Sequence, residues 1–279
     1  MQAYELFEVL AERTWRSIKR FGRNRIHFGE DTITSLNLDA LASARPTFVF
    51  AEDTRAAEST KGCDFELWIG AGSIGWRRYA VQAKKGQFSS GRYGSLAHEV
   101  GGTPQIELLE RYATANRALP IYCFYNWSDR PYRWNCSLPD CAEQLGCSVA
   151  PLPVVRRALE WRGGRTFDFL HSQVETLPWR CLVRCRRFTQ RPSQLEPPAE
   201  RGAEIEAPYD DKSHHNGWPD PAEFHYRELP RSLRALREHG AYQLFDDESD
   251  LFNTDVALRP RWVGVIEVPA PADDGEPVA

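Results

Sequence analysis

The sequence predicts an α/β fold in which a mixed β-sheet is flanked by helices. Two amphipathic helical patterns come first, and three strand-like segments follow them. A further helix then leads into the strongly apolar strand LPIYCFYN (119–126). Because the period of the apolar residues changes between helical and strand spacing in this order, we expect one mixed sheet covered by helices. The later part of the chain is expected to form a C-terminal elaboration of this core.

Spacing and turn residues define the individual elements. Apolar residues at helical spacing predict a first helix over 3–20, and a second helix begins near Glu30. The turn-like AGSIG between two strand patterns predicts a hairpin, and Pro104 is typical of a helix start. The predicted strands are 46–50, 63–70, 76–86, 119–126, 178–185 and 261–268, and the later helices are 154–161 and 227–239.

Changes in composition along the chain divide it into five regions. Pro, Glu and Asp accumulate after residue 191, which is typical of a linker or a mobile surface loop. The regions are a core with N-terminal helices (1–130), an elaboration of the core (131–191), an acidic Pro-rich linker or loop (192–225), a C-terminal helix and strand (226–268) and a disordered tail (269–279).

The overall composition is that of a globular protein. Hydrophobic residues make up 42% of the chain and aromatic residues 12%. The longest apolar runs are strand-sized and the N-terminus lacks the apolar centre of a signal peptide, so we expect a cytoplasmic protein without a membrane partner. The seven cysteines favour buried, reduced thiols. A zinc site is the alternative, although the gaps among Cys136, Cys141, Cys147, Cys181 and Cys185 do not match paired knuckles.

The net charge of −4 conceals an asymmetry. Residues 1–191 contain 27 Lys and Arg against 20 Asp and Glu, whereas residues 192–279 contain 8 against 19. The first part can therefore present a basic surface to a polyanion such as nucleic acid. The run from Arg16 to Arg25 is a candidate for phosphate contacts, and a solvated helix end is the equally good alternative.

The predicted hairpin brings acidic, amide and amine side chains together. A turn centred on Ile74 would place Asp64 opposite Lys84 and Glu66 opposite Gln82, on one face of the sheet. An even shift of the register would keep these four side chains on that face. The alternative is a solvated sheet face that carries mixed charges.

Such a patch suits a metal ion that assists phosphodiester hydrolysis. Mg²⁺ (or Mn²⁺) takes hard oxygen ligands, here Asp64 first, then the side-chain oxygen of Gln82 and the carbonyl of Ala83. Lys84 can orient the attacking water and stabilise charge on phosphorus. Glu30, at the start of the second helix, is the best-placed third acid, unless the helix dipole alone explains its position.

The spacing of these residues resembles a known pattern. Asp64, followed after seventeen residues by Gln82-Ala83-Lys84, resembles the PD-(D/E)XK nuclease superfamily and its QxK (Mrr-like) variants. The string GEDTITSLNL, ESTKGCDFELWI, YAVQAKKG and YCFYN is similar to an uncharacterised bacterial family within that superfamily. The resemblance covers residues 29–126. It implies a restriction-endonuclease-like fold and a metal-dependent endonuclease that acts in antiviral defence, with DNA favoured over RNA as the substrate. Because nucleases that cut both strands often dimerise, a homodimer is a further expectation.

The glutamine departs from that pattern, because most members have Asp or Glu at the position of Gln82. An uncharged amide should weaken metal binding, and Glu66 or Glu58 could compensate. Gln105, on the following helix, could face the site as in some relatives. The departure keeps a second hypothesis open, which is a catalytically inactive nuclease fold that binds nucleic acid or a partner protein.

Overall fold

One mixed β-sheet organises the chain in the computed structural model. The residues that the structure describes are 2–44, 48–52, 63–130, 141–189, 217–239 and 260–268. Glu58, Cys136, most of the predicted linker and the predicted tail lie outside these residues.

Up to Tyr125 the main helices and strands follow the predicted order. The helices are Ala3–Arg23 (α1), Glu30–Ala42 (α2), Gln105–Asn116 (α3), Leu152–Glu160 (α4), Phe167–Ser172 (α5), Cys181–Arg184 (α6), Arg186–Thr189 (α7) and Arg231–His239 (α8). The strands are Phe48–Glu52 (β1), Phe65–Ala71 (β2), Gly75–Lys85 (β3), Glu99–Val100 (β4), Thr103–Pro104 (β5), Leu119–Tyr125 (β6), Cys147–Pro151 (β7), Leu177–Pro178 (β8), His225–Tyr226 (β9) and Trp262–Glu267 (β10).

The sheet combines parallel and antiparallel pairs. Its order is β1-β10-β2-β3-β6-β7-β8, and β9 pairs with the start of β3. β10 is parallel to β2, and β3 is parallel to β6. The predicted fold class is confirmed, and this mixed sheet is consistent with a restriction-endonuclease-like fold. The C-terminal strand β10 lies between β1 and β2, so it is part of the central sheet.

Helices cover both faces of the sheet. Apolar residues of α1, α2 and α6 pack with Leu67, Val81 and Ile121 on one face. Residues of α3 and α4 pack against Ala80 and Tyr122 on the other face. On that second face, α8 covers the tryptophans of β2 and β3. Among the described helices, none has the length and apolarity needed to cross a bilayer.

The β2–β3 hairpin forms as predicted, but with a register that differs by two residues. Glu66 pairs with Ala80, not with Gln82, and Ala71 pairs with Gly75. The turn therefore centres one residue earlier than expected. The side chain of Ile74 is buried and Gly75 has a φ of 83°, a backbone conformation that glycine adopts without strain. Because the shift is even, every side chain keeps its predicted face.

The predicted strand over 178–185 is wrong. β8 covers only Leu177–Pro178, and the chain then forms the short helix α6, in which Cys185 N–H donates to Cys181 O. Residues 181–183 are all apolar and buried, and a short apolar run of this kind fits a buried strand and a buried helical turn equally well, so periodicity does not distinguish the two.

Candidate functional site

Asp64 is held against the β3 strand by hydrogen bonds. The backbone N–H of Asp64 donates to Val81 O, which continues the hairpin register and places Asp64 beside Gln82. The carboxylate oxygen Oδ2 of Asp64 accepts a hydrogen bond from Ala83 N–H at 2.7 Å and another from the Gln82 amide. Asp64 and Gln82, two of the predicted site residues, are therefore in direct contact across the hairpin.

Glu30 reaches the same end of the sheet from the layer of α2. It is the first residue of that helix, as predicted, and its Oε1 lies 3.3 Å from Lys84 Nζ. Its Oε2 accepts a hydrogen bond from Lys85 N–H at 2.7 Å. The Lys84 side chain is only 4% exposed, and a buried charge of this kind needs a partner within the protein. Glu30 is that partner.

Glu66 lies on the same sheet face, but its carboxylate belongs to a separate buried network. One oxygen forms an ion pair with Arg78 at 2.9 Å and accepts from the Tyr112 hydroxyl at 2.6 Å. The other oxygen accepts from Trp68 Nε1 at 2.7 Å. Because both oxygens are occupied and the side chain is fully buried, Glu66 is not available to compensate for Gln82. Contrary to the prediction, the Glu66 carboxylate is not part of the candidate site in this structure.

Burial makes both site carboxylates costly to ionise. It is the main reason why the pKa of Asp64 is raised above its usual value, while the Lys84 charge and the bonds from Ala83 and Gln82 oppose the shift. Burial also raises the pKa of Glu30, again against the Lys84 charge, and the negative charge of Asp64 adds to the rise. A cation bound between the two carboxylates would remove this penalty.

The oxygen atoms at the site suit Mg²⁺. The amide oxygen of Gln82 is buried and has no hydrogen-bond partner among the described residues. The same residues include no group of three or more His, Cys, Asp and Glu side chains arranged to hold a metal. A metal here would therefore need Gln82 or main-chain oxygens in addition to Asp64 and Glu30, and hard oxygens of this kind are the ligands that Mg²⁺ accepts.

Two further predicted residues, Ala83 and Gln105, are among those that the structure describes. The carbonyl oxygen of Ala83, a predicted metal ligand, accepts a 3.4 Å hydrogen bond from the Gln82 side chain. Gln105 is the first residue of α3, is buried, and its side-chain oxygen has no partner among the described residues.

The aromatic residues considered for base stacking have structural roles where they are described. Tyr125 is fully buried and its hydroxyl is bonded to Thr34 at 3.0 Å. Trp127 stacks on Phe88 with a centroid distance of 4.6 Å, and Lys19 lies over its ring. Tyr132 and Trp134 lie outside the described residues.

Tyr122 is a site neighbour that the sequence did not single out. It pairs with Gln82 across the β3–β6 ladder, and its buried hydroxyl has no partner among the described residues. Alternation along LPIYCFYN places Tyr122 and Phe124 on one face. Which face that is depends on the pairing of β6 with β3, which the sequence pattern alone does not specify.

Comparisons with known proteins identify a family but no activity. A family model described as "Family of unknown function (DUF6615)" matches residues 3–260. No curated protein and no solved structure matches the chain.

Proposed function

The chain belongs to this family of unknown function, and we propose that it is a metal-dependent endonuclease that hydrolyses phosphodiester bonds in DNA. The observation that carries the proposal is the convergence of Asp64, Gln82, Lys84 and Glu30 at one end of the sheet. These residues come from α2, from β3 and from the position directly before β2, so the fold has brought together groups that are distant in the chain.

The chemistry of the convergent groups supports hydrolysis of a phosphate ester. Such a reaction needs negative charge neutralised on the phosphate and a water molecule held in line for attack. Lys84 provides a fixed positive charge at the place where Asp64 and Glu30 provide hydrogen-bond acceptors. In this proposal Lys84 orients the water and stabilises the charge that develops on phosphorus.

Asp64, Glu30 and the side-chain oxygen of Gln82 are the residues that would hold Mg²⁺ or Mn²⁺. The bound cation supplies Lewis-acid activation of the phosphate and lowers the pKa of a coordinated water. The Gln82 amide would have to present its oxygen, because in this structure its nitrogen faces Asp64.

A basic surface next to the site supports nucleic acid as the substrate. Its exposed members, Arg16, Arg20, Arg23 and Arg25, extend along the end of α1 and the turn that follows, which leads directly to Glu30. The end of α1 lies against the loop after β3, since a Cβ on Gly22 would clash with the ring of Phe88. A phosphate backbone that enters the site can therefore contact these arginines.

The cellular role in this proposal comes from the sequence resemblance. A nuclease of this kind would act in the bacterial cytoplasm against foreign DNA, and cleavage of both strands would require two copies of the chain. Expression of the gene should then reduce phage plaque formation, and Asp64→Asn should abolish that protection. Light scattering of the purified protein would detect the dimer.

One observation favours the second hypothesis, a catalytically inactive fold that binds nucleic acid or a protein. The polar groups of the site are largely paired with one another, Asp64 with Gln82 and Glu30 with Lys84. A cluster that serves only stability would have the same pairs.

Plasmid cleavage separates the two hypotheses. Supercoiled plasmid is incubated with the purified protein in Mg²⁺, in Mn²⁺ and in EDTA, and nicked and linear products are measured. The nuclease hypothesis requires products that depend on the metal and disappear in Asp64→Asn. Asp39→Asn is the matched control, because Asp39 is an exposed acid on α2, the helix that carries Glu30. Absence of cleavage combined with retained DNA binding would support the inactive fold.

A further inference from the structure

Asp64, Gln82 and Tyr122 form a row that runs from the position directly before β2 across β3 to β6. Gln82 lies beside Asp64 in the β2–β3 hairpin and pairs with Tyr122 in the parallel β3–β6 ladder. Neighbouring strands are about 4.8 Å apart, and the three side chains leave the sheet on the same face. The Gln82 side chain therefore lies between the carboxylate of Asp64 and the ring of Tyr122.

Two buried polar atoms in this row have no hydrogen-bond partner among the described residues. They are the amide oxygen of Gln82, a residue that is 1% exposed, and the hydroxyl of Tyr122, a residue that is fully buried. Leaving a buried polar group unbonded costs about 1–3 kcal/mol, so native proteins rarely do it. Two such atoms on directly paired residues leave hydrogen-bonding capacity unused beside the proposed metal site.

Metal binding at the proposed site requires the Gln82 amide to reverse its orientation. In this structure its nitrogen donates to Asp64, and its oxygen is on the other end of the amide. A metal bound by Asp64 repels the amide nitrogen and attracts the oxygen, so the amide must turn over. The amide nitrogen then points to the far side, where another group has to accept its hydrogen bond.

We propose that Tyr122 is a positioning residue for the Gln82 amide: its hydroxyl, directly or through a water, accepts a hydrogen bond from the amide nitrogen when the amide oxygen faces the metal. A phenol hydroxyl can accept a hydrogen bond, and in the metal-free orientation that of Tyr122 has no partner among the described residues, so the bond to the amide nitrogen favours the metal-binding orientation. The inference rests on the proposed metal site and extends it to a residue that contacts neither metal nor substrate.

Tyr79 provides a matched control. It is also in the central sheet, on β3, is fully buried, and has a hydroxyl without a partner among the described residues. Its side chain, however, packs in the core on the opposite face of the sheet, with α1 and α2. Tyr79→Phe and Tyr122→Phe thus remove the same chemical group from comparable environments, and only one of them faces the site.

The test measures Mg²⁺ affinity by titration calorimetry, with Mn²⁺ as a second probe, after urea unfolding has verified that each variant is folded. Tyr122→Phe should weaken Mg²⁺ binding about fivefold, the effect of one hydrogen bond, and Tyr79→Phe should leave it unchanged. In a Gln82→Glu background, Tyr122→Phe should have less than about a twofold effect, because a carboxylate has no amide orientation to select.

Two results would overturn the inference alone. One is equal affinity of the two Tyr→Phe variants. The other is an equal loss in the wild-type and Gln82→Glu backgrounds, which would mean that Tyr122 does not act through the amide. A wild-type protein that binds no Mg²⁺ would overturn both the metal site and this inference. Binding of Mg²⁺ without plasmid cleavage would contradict the proposed function alone.

Discussion

The carboxylate of Glu30 and the ammonium group of Lys84 form a 3.3 Å ion pair that joins the first turn of α2 to the end of β3. The pair connects the two layers of the fold at the candidate site. The positive charge of the buried Lys84 is therefore balanced by Glu30 before any ligand binds.

Replacing Lys84 tests the role of its charge in cleavage. Lys84→Met keeps the apolar stem of the side chain and removes the charge, so we expect the nicking rate to fall at least about 100-fold. The protein should still fold, because Glu30 already has a raised pKa and can become protonated when its partner is lost. Single-turnover nicking assays measure the effect. A rate within about twofold of the wild type would contradict the assigned role.

The raised pKa of Asp64 predicts a pH-dependent cost in stability. Below the ordinary carboxyl pKa, Asp64 is protonated in both the folded and the unfolded chain and costs nothing. As the pH rises toward the folded-state pKa, the unfolded chain ionises first and the folded state loses stability. Asp64→Asn should therefore stabilise the metal-free protein at about pH 7 and change little at about pH 3. Urea unfolding in EDTA at both pH values measures this, and a gain that is largest in acid would refute it.

The Glu66 network predicts a change in stability that is independent of the candidate site. Glu66→Ala leaves Arg78 buried without its acidic partner, and we expect a loss of about 3–5 kcal/mol in the free energy of unfolding. The double variant Glu66→Leu/Arg78→Met should lose less, because it removes both charges. Chemical denaturation of the three proteins provides the comparison. A single variant that is as stable as the wild type would show that the ion pair is not formed.

The basic end of α1 predicts the salt dependence of DNA binding. Neutralising Arg16, Arg20 and Arg23 to Gln should reduce the slope of log affinity against log salt by about 2 to 3, since each phosphate contact contributes about 0.9. Arg231, Arg234 and Arg237 are three exposed arginines on α8 and provide the control triple variant. Fluorescence anisotropy over a salt series measures both slopes. Equal slopes for the two triple variants would place the DNA elsewhere.

Restoring a carboxylate at position 82 tests the cost of the glutamine. Gln82→Glu adds a negative charge beside Asp64 and removes the amide bond between them, so the metal-free protein should become less stable. The same charge should lower the Mg²⁺ concentration that gives half-maximal cleavage by about tenfold or more. Thermal unfolding in EDTA and a cleavage titration test the two parts. An unchanged Mg²⁺ requirement would mean that residue 82 does not contact the metal.

Local patterns were sufficient for most elements of the core. Alternation along CDFELWIG and WRRYAVQAKKG depends only on the two-residue period of a strand, so it assigned Asp64, Gln82 and Lys84 to one face. The assignment holds despite an error of two residues in the register, because an even shift does not exchange the faces. The start of α2 at Glu30 was likewise a local signal.

Strand order and side-chain partners depended on long-range packing. No local pattern indicates that β10 lies between β1 and β2, or that β6 brings Tyr122 beside Gln82. The partners of Glu66 were equally inaccessible to local reasoning, because Tyr112 and Arg78 come from α3 and β3.

The sequence by itself therefore determined the fold class, the hairpin and the face on which the polar residues lie. Only the tertiary structure decided which of those residues meet, with Glu30 bonded to Lys84 and Glu66 withdrawn into a separate network. The physical reason is that the side-chain period of a strand is a property of the local backbone, whereas contacts between side chains require elements that are distant in the chain to pack together.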